Sequence, residues 1–409
     1  MSVAALLAQI ADIGRDPVRG GYSRHLFDDA DLALRAWFAA HAESLGLRVE
    51  TDANANVWAR WDAGSGPAVV TGSHLDSVPG GGAYDGPLGV VSALEAVRTL
   101  RQEGFVPNRP IVVAVFAEEE GSRFNAPCLG SRLLVGETSP AALAERTDAA
   151  GARFCDVVAA AGFDSAAMGA DPERLAGIGA FVELHVEQGL DLAERDAPLA
   201  VATAILAHGR WRATFTGEGN HAGTTPMSGR RDPVVAAASA VLAVQGEAAA
   251  AAEASARGTV GRIEAVPGGS NVIASRADVW IDLRTDHDAD LAALWERIAR
   301  RLEEIAAAQG CDLAVVRESY TPRVDFDPGL AVRVGAALAA AGGRDVPAIP
   351  TGAGHDAGIL AAHVPTAMIF VRNPTGVSHA PGEALDDADA EVGVAGLVAV
   401  LRDLAGEPA

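Results

Sequence analysis

Lysine is absent from the sequence, and several features that mark particular classes of protein are scarce. All 32 basic side chains are arginines, so chemistries that need a lysine amine, such as Schiff-base formation, have no residue to use. The three cysteines, Cys128, Cys155 and Cys311, are far apart and form neither a disulfide framework nor a thiolate metal-binding pattern. Free thiols in this pattern predict a reducing, cytoplasmic environment.

Basic charge and long apolar runs are also limited. The 54 acidic residues outnumber the basic ones and give a formal net charge of −22, which argues against nucleic acid and anionic membranes as partners. We expect no apolar stretch to approach the roughly 18 residues of a membrane helix. Residues 1–16 have no basic segment before their apolar positions, so no secretory signal is predicted. An anionic small molecule is still compatible with this charge, because a local arginine or a metal pair reverses the field inside a cleft.

The 409 residues exceed one simple core, and the order of predicted elements divides them into two domains. Strands and helices alternate up to residue 208 and again from 323, which is typical of an α/β sheet. Within the first part, the Ala-rich segment 140–177 is predicted to be mostly helical. Residues 209–322 are instead predicted to form a strand, a helix, two strands, a helix and a strand, which is the ferredoxin-like order. We therefore predict an α/β domain over 1–208 and 323–409 with an inserted ferredoxin-like domain over 209–322.

The stretch 72–89 carries the first candidate functional residues. It follows the apolar run 68–70, so His74 and Asp76 should lie where a buried strand ends. Asp85 lies in a glycine-rich turn that is able to fold back toward them. Imidazole and carboxylate together suit a divalent ion such as Zn²⁺, Mn²⁺ or Co²⁺. A lone His-x-Asp is more often a polar surface loop, but residues of the same type recur at the ends of later elements.

These further residues are Glu118–Glu120, His185 and His379. Open α/β sheets bind ligands outside the carboxyl ends of their strands, so we expect these groups to converge with His74 and Asp85. Three histidines and two carboxylates are enough for two metal ions if one carboxylate bridges and water completes each shell. Asp85 is the natural bridge because its glycine-rich turn allows close approach.

The remaining acidic residues suit supporting roles. Asp76 lies two residues after His74 and is placed to accept the second N–H of that imidazole. Glu119 and Glu120 should point in different directions, so that one binds metal and the other transfers protons. Glu118–Glu120 would otherwise be a solvated acidic turn.

Six ordered motifs resemble those of the M20 metallopeptidase/amidohydrolase family, and more narrowly of its hydantoinase/carbamoylase branch. The motifs are Gly-Ser-His-Leu-Asp-Ser-Val at 72–78 with Tyr-Asp-Gly at 84–86, Glu-Glu-Gly-Ser-Arg-Phe at 119–124, Glu-Leu-His-Val-Glu-Gln-Gly at 183–189, Gly-Asn-His-Ala-Gly-Thr-Thr-Pro-Met at 219–227, Gly-Ala-Gly-His-Asp-Ala at 352–357 and Ser-His-Ala-Pro-Gly-Glu at 378–383. The resemblance covers almost the whole chain. It implies five metal ligands, which are His74, Asp85, Glu120, His185 and His379. It also implies that Glu119 is the general base.

The resemblance further implies that the inserted domain is a lid that forms a homodimer. His221 would polarise the scissile carbonyl, either within one subunit or across the dimer. Asn271 would hydrogen-bond a ureido or carboxylate group. Arg284 is the last residue of a predicted strand whose alternation places Val279, Ile281 and Leu283 on the opposite face. Its guanidinium group would bind a carboxylate bidentately.

Three other residues are predicted to line the same pocket. Gln188 and the glycines around Gly354 would contact the substrate. His355 would either bond the substrate or have a structural role, and the sequence leaves both readings open.

The implied reaction is metal-assisted hydrolysis of a C–N bond in a linear ureido compound that bears a carboxylate. The stretches 13–17 and 370–376 resemble allantoate amidohydrolases, which makes allantoate the first candidate substrate. N-carbamoyl-L-amino acid hydrolase and β-ureidopropionase are the alternatives. A peptidase or deacylase comes third, because the Gly-Ser-Arg-Phe motif at 121–124 points away from it. A non-catalytic binding protein should have lost a ligand or the base, and all of these residues are present.

Overall fold

The computed structural model describes residues 2–342 and 344–407, and the chain divides into two compact units. The first unit comprises Met1–Thr203 and Asp325–Ala409, and the second comprises Ala204–Val324. The predicted inserted domain, residues 209–322, lies within the second unit.

The described residues form thirteen α-helices and seventeen β-strands. The helices are α1 (Val3–Gln9), α2 (Asp29–Ser44), α3 (Pro87–Gln102), α4 (Leu129–Val135), α5 (Pro140–Leu143), α6 (Phe154–Ala160), α7 (Pro172–Ala176), α8 (Asp191–Glu194), α9 (Pro233–Ala250), α10 (Asp288–Ala308), α11 (Pro328–Gly342), α12 (Asp356–Leu360) and α13 (Asp387–Gly406). The strands are β1 (Tyr22–Arg24), β2 (Arg48–Thr51), β3 (Val57–Trp61), β4 (Ala68–His74), β5 (Ser77–Gly81), β6 (Ile111–Phe116), β7 (Ile178–Val186), β8 (Leu199–Ile205), β9 (Ala207–Thr216), β10 (Asn220–His221), β11 (Arg257–Val266), β12 (Val272–Ile273), β13 (Arg276–Thr285), β14 (Asp312–Thr321), β15 (Val324–Asp325), β16 (Ala348–Thr351) and β17 (Thr366–Val371).

The first unit is built on a nine-stranded sheet in the order β15-β8-β17-β7-β4-β6-β3-β2, with β16 paired to β8. The four central strands, β17, β7, β4 and β6, run parallel. Every residue of β4, β6 and β17 is buried, as expected for strands covered on both faces. The parallel arrangement places the carboxyl ends of these four strands next to one another.

Helix α3 begins directly after the glycine-rich turn and packs against the sheet. Gly86 has a φ of 85° and Pro87 occupies the first helical position, where its missing N–H has no intrahelical partner to lose. Leu88, Val91 and Leu94 are wholly buried in the main core. The buried helix therefore fixes the position of the turn that carries Asp85.

The second unit is a four-stranded antiparallel sheet in the order β11-β13-β9-β14, with α9 and α10 packed against it. This strand order and the chain order β-α-β-β-α-β are those of a ferredoxin-like fold. Its core contains Phe215, Ile281 and Leu294, all at most 1% exposed. The predicted α/β class with a ferredoxin-like insertion is confirmed.

Helix α9 corrects one expectation drawn from the sequence. Over 18 residues its mean hydropathy is 1.4, so it is long and apolar enough to cross a membrane by length and composition alone. The expectation that no stretch reaches this length was therefore wrong. Ala236, Ala240 and Val244 of this helix are buried in the core of the second unit, whereas Leu242 on the same helix is 69% exposed.

Candidate metal centre

Side chains that suit a divalent metal ion meet at the carboxyl ends of the central strands of the nine-stranded sheet. His74 is the last residue of β4, and His185 is the last but one of β7. Glu119 and Glu120 lie in the turn that follows β6. Because β7, β4 and β6 are adjacent and parallel, their carboxyl ends lie together. The structure thus brings together residues that are distant in the sequence.

The imidazoles of His74 and His185 are each oriented by a backbone carbonyl group. Nδ1 of His74 lies 3.1 Å from the carbonyl oxygen of Asp76, and Nδ1 of His185 lies 2.9 Å from that of Val186. Since a carbonyl oxygen only accepts hydrogen bonds, each Nδ1 carries a proton, and in the neutral ring the lone pair therefore lies on Nε2. Both Nε2 atoms are buried without a hydrogen-bond partner. Such lone pairs suit metal coordination.

Asp85 turns one carboxylate oxygen toward each of two groups of side chains. Its Oδ1 lies 3.7 Å from Nε2 of His74 and 3.3 Å from Nε2 of His185. Its Oδ2 lies 3.4 Å from Nε2 of His379, and that nitrogen is 3.3 Å from Oε2 of Glu120. Each group of three residues holds its donor atoms within 4.8 Å of one another, which suits one metal ion.

The carboxylates of this cluster change the protonation of the imidazoles. Burial alone would lower the pKa of His74, but Glu119, Asp76 and Asp85 raise it well above its usual value. Burial, together with the charge of Asp85, raises the pKa of Glu120 to about 8. Buried carboxylates that repel one another favour a bound cation.

Glu119 lies beside the two ligand groups and belongs to neither. Its Oε2 is 3.7 Å from Nε2 of His74, and its Oε1 accepts a 3.4 Å hydrogen bond from the thiol of Cys128. Burial raises the pKa of Glu119 well above its usual value, although His74 opposes the effect. A carboxyl group that binds a proton readily next to a metal site is suited to proton transfer.

Asp76 supports the turn after β6 in a way that differs from the prediction. The sequence predicts that its carboxylate holds the His74 imidazole, but the backbone carbonyl of Asp76 makes that contact and the carboxylate Oδ1 lies 3.6 Å from Nδ1. The two carboxylate oxygens instead accept the N–H groups of Glu119 and Glu120, each at 3.1 Å. These N–H groups are left without strand partners where β6 ends, and buried N–H groups need acceptors.

Glu118 completes the same turn. It is wholly buried, has a φ of 54°, and its Oε1 accepts hydrogen bonds from the N–H groups of Arg123 and Phe124. Burial raises the pKa of Glu118 to about 8. Glu118–Glu120 is therefore a buried scaffold and not a solvated acidic turn.

Gln188 contacts Asp85 directly. Its Nε2 donates to Oδ2 of Asp85 at 3.0 Å and to the hydroxyl of Ser378 at 2.9 Å, and Ser378 donates to the same Asp85 oxygen at 3.1 Å. These contacts fix the amide and leave its Oε1 buried without a partner. Ser378 has no role in the sequence prediction. Its position immediately before His379 in the Ser-His motif was the available signal.

His355 packs beside the metal ligands, whereas Gly354 is exposed. The ring centroid of His355 lies 4.5 Å from that of His185, and its buried Nε2 has no hydrogen-bond partner. Burial and the neighbouring His185 keep the pKa of His355 well below its usual value. No atom lies within 4 Å of the position that a Cβ on Gly354 would occupy, so no close contact requires glycine there.

In the second unit, the two-stranded ladder β10–β12 brings His221 and Asn271 close together. The N–H of Ala222 donates to the carbonyl oxygen of Asn271 at 3.0 Å. Nδ1 of His221 accepts N–H groups from Gly223 at 3.1 Å and Thr224 at 3.2 Å. In the neutral ring the imidazole proton therefore lies on Nε2, which is presented as a hydrogen-bond donor.

Arg284 lies on the face of β13 opposite the core of the second unit. Val279, Ile281 and Leu283 are at most 1% exposed, so the predicted alternation along this strand is found. The guanidinium group of Arg284 donates to both carboxylate oxygens of Asp282, at 2.9 Å from Nε and 3.3 Å from the terminal nitrogen. A substrate carboxylate at Arg284 has to share the guanidinium group with Asp282.

The donor atoms at the carboxyl ends of the central strands fit a pair of divalent ions. The decisive observation is that two buried imidazole lone pairs without partners face the same carboxylate oxygen. Mixed imidazole and carboxylate donors suit Zn²⁺, Mn²⁺ and Co²⁺.

Comparisons with known proteins agree with this geometry. Residues 70–403 match Peptidase family M20/M25/M40. The chain is 37% identical over 395 residues to an N-carbamoyl-L-amino acid amidohydrolase of Geobacillus stearothermophilus, covering 95% of this chain and 94% of that protein. It is 32% identical over 410 residues to an allantoate amidohydrolase of Escherichia coli (strain K12), covering 99% and 98%. A crystal structure of a hydantoinase/carbamoylase family amidase from Burkholderia vietnamiensis matches with a TM-score of 0.86 at 34% identity, covering 100% of this chain and 97% of that one.

The fold and the paired ligand groups define a hydrolase of the amidohydrolase type. The chain belongs to Peptidase family M20/M25/M40 and, within it, to the hydantoinase/carbamoylase branch.

Proposed function

We propose that the protein hydrolyses a C–N bond in a linear ureido compound that carries a carboxylate. The observation that carries this proposal is the division of Asp85 between two ligand groups, with one oxygen facing His74 and His185 and the other facing His379. A carboxylate shared in this way suits a two-metal hydrolase.

Five residues would hold the two ions. His74, Asp85 and His185 would bind one, and Asp85, Glu120 and His379 would bind the other. When bound, the ions supply Lewis-acid polarisation and a water molecule of lowered pKa. Gln188 and Ser378 hold Oδ2 of the shared Asp85 carboxylate in place, so neither residue needs to touch an ion to support the centre.

Glu119 would act as the general base. It would remove a proton from the attacking water and return it to the leaving nitrogen, so that one buried carboxyl group serves both steps. Asp76 supports this role through the turn, because its carboxylate holds the N–H of Glu119.

His221, Asn271 and Arg284 would recognise the substrate. The Nε2–H of His221 would donate to the scissile carbonyl oxygen, in an orientation fixed by the N–H groups of Gly223 and Thr224. Asn271 would bond the ureido or carboxylate group, and Arg284 would bind the substrate carboxylate. These roles follow the family resemblance and the local geometry of each residue.

We also propose that the protein is cytoplasmic and that it forms a homodimer through the second unit. Leu242 on α9 is 69% exposed, and Val316 on the edge strand β14 is 49% exposed. Exposed apolar residues on a helix and an unpaired strand edge suit association with a second copy. Sedimentation analysis of the unchanged chain and of Leu242→Glu tests it, and a monomeric unchanged chain would contradict it.

Two substrates are favoured by different observations. The stretches 13–17 and 370–376 favour allantoate, whereas the 37% identity to the Geobacillus protein favours N-carbamoyl-L-amino acids. Ammonia release should be measured with allantoate, several N-carbamoyl-L-amino acids and N-carbamoyl-β-alanine, each with Mn²⁺, Zn²⁺ and Co²⁺. N-acetyl amino acids and dipeptides are the controls, and their cleavage is followed by release of the free amino acid, because it yields no ammonia. Faster cleavage of a control than of every ureido compound would overturn the proposal.

A further inference from the structure

Glu383 is a buried carboxylate that none of the roles above uses. It is 8% exposed and ends the Ser-His-Ala-Pro-Gly-Glu motif. Its Oε1 accepts two backbone hydrogen bonds from the opposite loop, at 2.7 Å from the N–H of Tyr84 and 3.0 Å from the N–H of Asp85. The Glu383 side chain thus holds the backbone of a candidate metal ligand that lies almost 300 residues earlier in the sequence.

Gly82 leaves room for this carboxylate. A Cβ on Gly82 would lie 2.3 Å from both Cδ and Oε1 of Glu383, and 2.6 Å from its Oε2. Gly82 does not have a positive φ, so its backbone conformation does not require glycine. The space that the missing side chain leaves is occupied by the Glu383 carboxylate.

His379 needs such support more than the other histidine ligands do. The side chains of His74 and His185 are at most 1% exposed, whereas that of His379 is 50% exposed. His379 also has a φ of 55°, a left-handed conformation that is uncommon for residues other than glycine. Packing restrains this half-exposed imidazole less than the other two, so its position depends more on the loop that ends in Glu383.

We propose that Glu383 is a positioning residue that ties the His379 loop to the Asp85 loop and so sets the spacing of the Asp85, Glu120 and His379 ligand group. In this role it acts through the backbone of Tyr84 and Asp85 and belongs to neither of the two ligand groups. The inference rests on the proposed two-metal function. It predicts that loss of Glu383 weakens the ion at the Asp85, Glu120 and His379 group more than the other ion, because the other group keeps His74 and His185 on strands β4 and β7.

The test measures metal binding and not turnover alone. Variants E383A and E383Q, and H379A as a reference for loss of that ligand, are titrated with Co²⁺ and Zn²⁺ in metal buffers, with metal analysis and the visible Co²⁺ spectrum as readouts. E383A should weaken one of two ions by about 10- to 100-fold, as other residues that orient metal ligands do, and its Co²⁺ spectrum should approach that of H379A. E383Q should restore binding, because its Oε1 still accepts both N–H groups.

The Gly82→Ala variant makes the test independent of the folding of E383A. The added Cβ should displace the carboxylate and weaken the same ion, and G82A should cause no further loss when combined with E383A, because the two changes break one contact. Two ions bound as tightly in E383A and G82A as in the unchanged chain would overturn the role of Glu383 alone. Failure of the unchanged chain to bind two ions would overturn the proposed function, and this inference with it.

Discussion

Glu119 is the residue whose removal should separate catalysis from metal binding. Glu119→Gln keeps the size of the side chain but removes the proton acceptor. We expect both ions to be retained and kcat to fall by about 10²- to 10⁴-fold. Steady-state kinetics together with metal analysis checks this. The surface change Glu137→Gln should alter neither quantity, and near-normal turnover in Glu119→Gln would show that another group is the base.

Asp85 should affect both metal positions together. Asp85→Ala removes the oxygens that face His74, His185 and His379, so the affinity for both ions should fall, by about 10- to 100-fold or more for each. Competition with a metal-binding dye measures the two constants. Asp62→Ala, at an exposed aspartate, is the control. One ion retained at normal affinity would contradict a shared carboxylate.

Arg284 should discriminate between charged and neutral substrates. Arg284→Ala should reduce kcat/KM for a ureido carboxylate far more than for its neutral amide. Arg284→Lys should retain only part of the kcat/KM for the carboxylate, because lysine keeps the charge but cannot bind a carboxylate bidentately. Arg210→Ala is a matched control, since Arg210 binds the same Asp282 at 3.0 Å and is 53% exposed. Equal losses for both substrates would mean that Arg284 only supports its own unit.

The candidate ligand residues were predictable because each lies in a local motif, and those of His74, Glu120 and His185 lie at or shortly after a strand end. The contacts of Ser378, Cys128 and Glu383 with Asp85 and Glu119 were not predictable, because they exist only after folding. Asp76 was correctly placed near His74, but the hydrogen bonds that its carboxylate accepts from the N–H groups of Glu119 and Glu120 were not predicted. Spacing along a strand does not show which N–H groups another strand leaves unpaired.

Among the elements, the contact between the start of β3 and α4 fixes the turn that carries Glu118–Glu120. Asn56 Oδ1 accepts the N–H of Ala117 at 3.1 Å, directly before Glu118. A Cβ on Gly130 would lie 1.9 Å from this oxygen and 2.8 Å from the Ala117 nitrogen. The close approach of α4 to the turn is therefore possible only with glycine at this position.

Gly130→Ala should consequently lower stability and turnover together. We expect the free energy of unfolding to fall by about 1–3 kcal/mol through overpacking. Chemical denaturation with parallel activity assays measures both effects. Gly246→Ala, on helix α9 with no atom within 4 Å of its added Cβ, should instead stabilise by about 0.5–1 kcal/mol. A neutral Gly130→Ala would show that Asn56 moves without cost.

Periodic elements were predicted better than irregular ones. The alternation in β13 and the apolar runs of β6 and β17 gave strands, as observed. The segment 140–177 was predicted to be mostly helical, yet its α-helices span only four, seven and five residues. Gly151, Gly162 and Gly169 adopt positive φ there and interrupt the helical pattern that alanine favours.

For the whole molecule, removal of metal should affect only one of the two units. Both candidate ligand groups that share Asp85 lie in the first unit, and each unit has its own core. An ion at 100 times its dissociation constant stabilises the folded state by about 2.7 kcal/mol. In calorimetry, EDTA should therefore lower the melting temperature of the first unit and leave that of the second unchanged. An equal shift of both transitions would contradict independent units.

The position of β17 in the sheet has a consequence for synthesis on the ribosome. This strand lies between β7 and β8, which precede the second unit in the chain, whereas β17 follows it. The central sheet therefore stays open until the entire second unit has been translated, and the candidate ligand His379 emerges later still. The second unit is free to fold first, which reverses the common N-terminal-first order. A nascent chain released before β17 has no closed sheet and lacks His379, so the proposed two-metal centre would be completed only late in maturation.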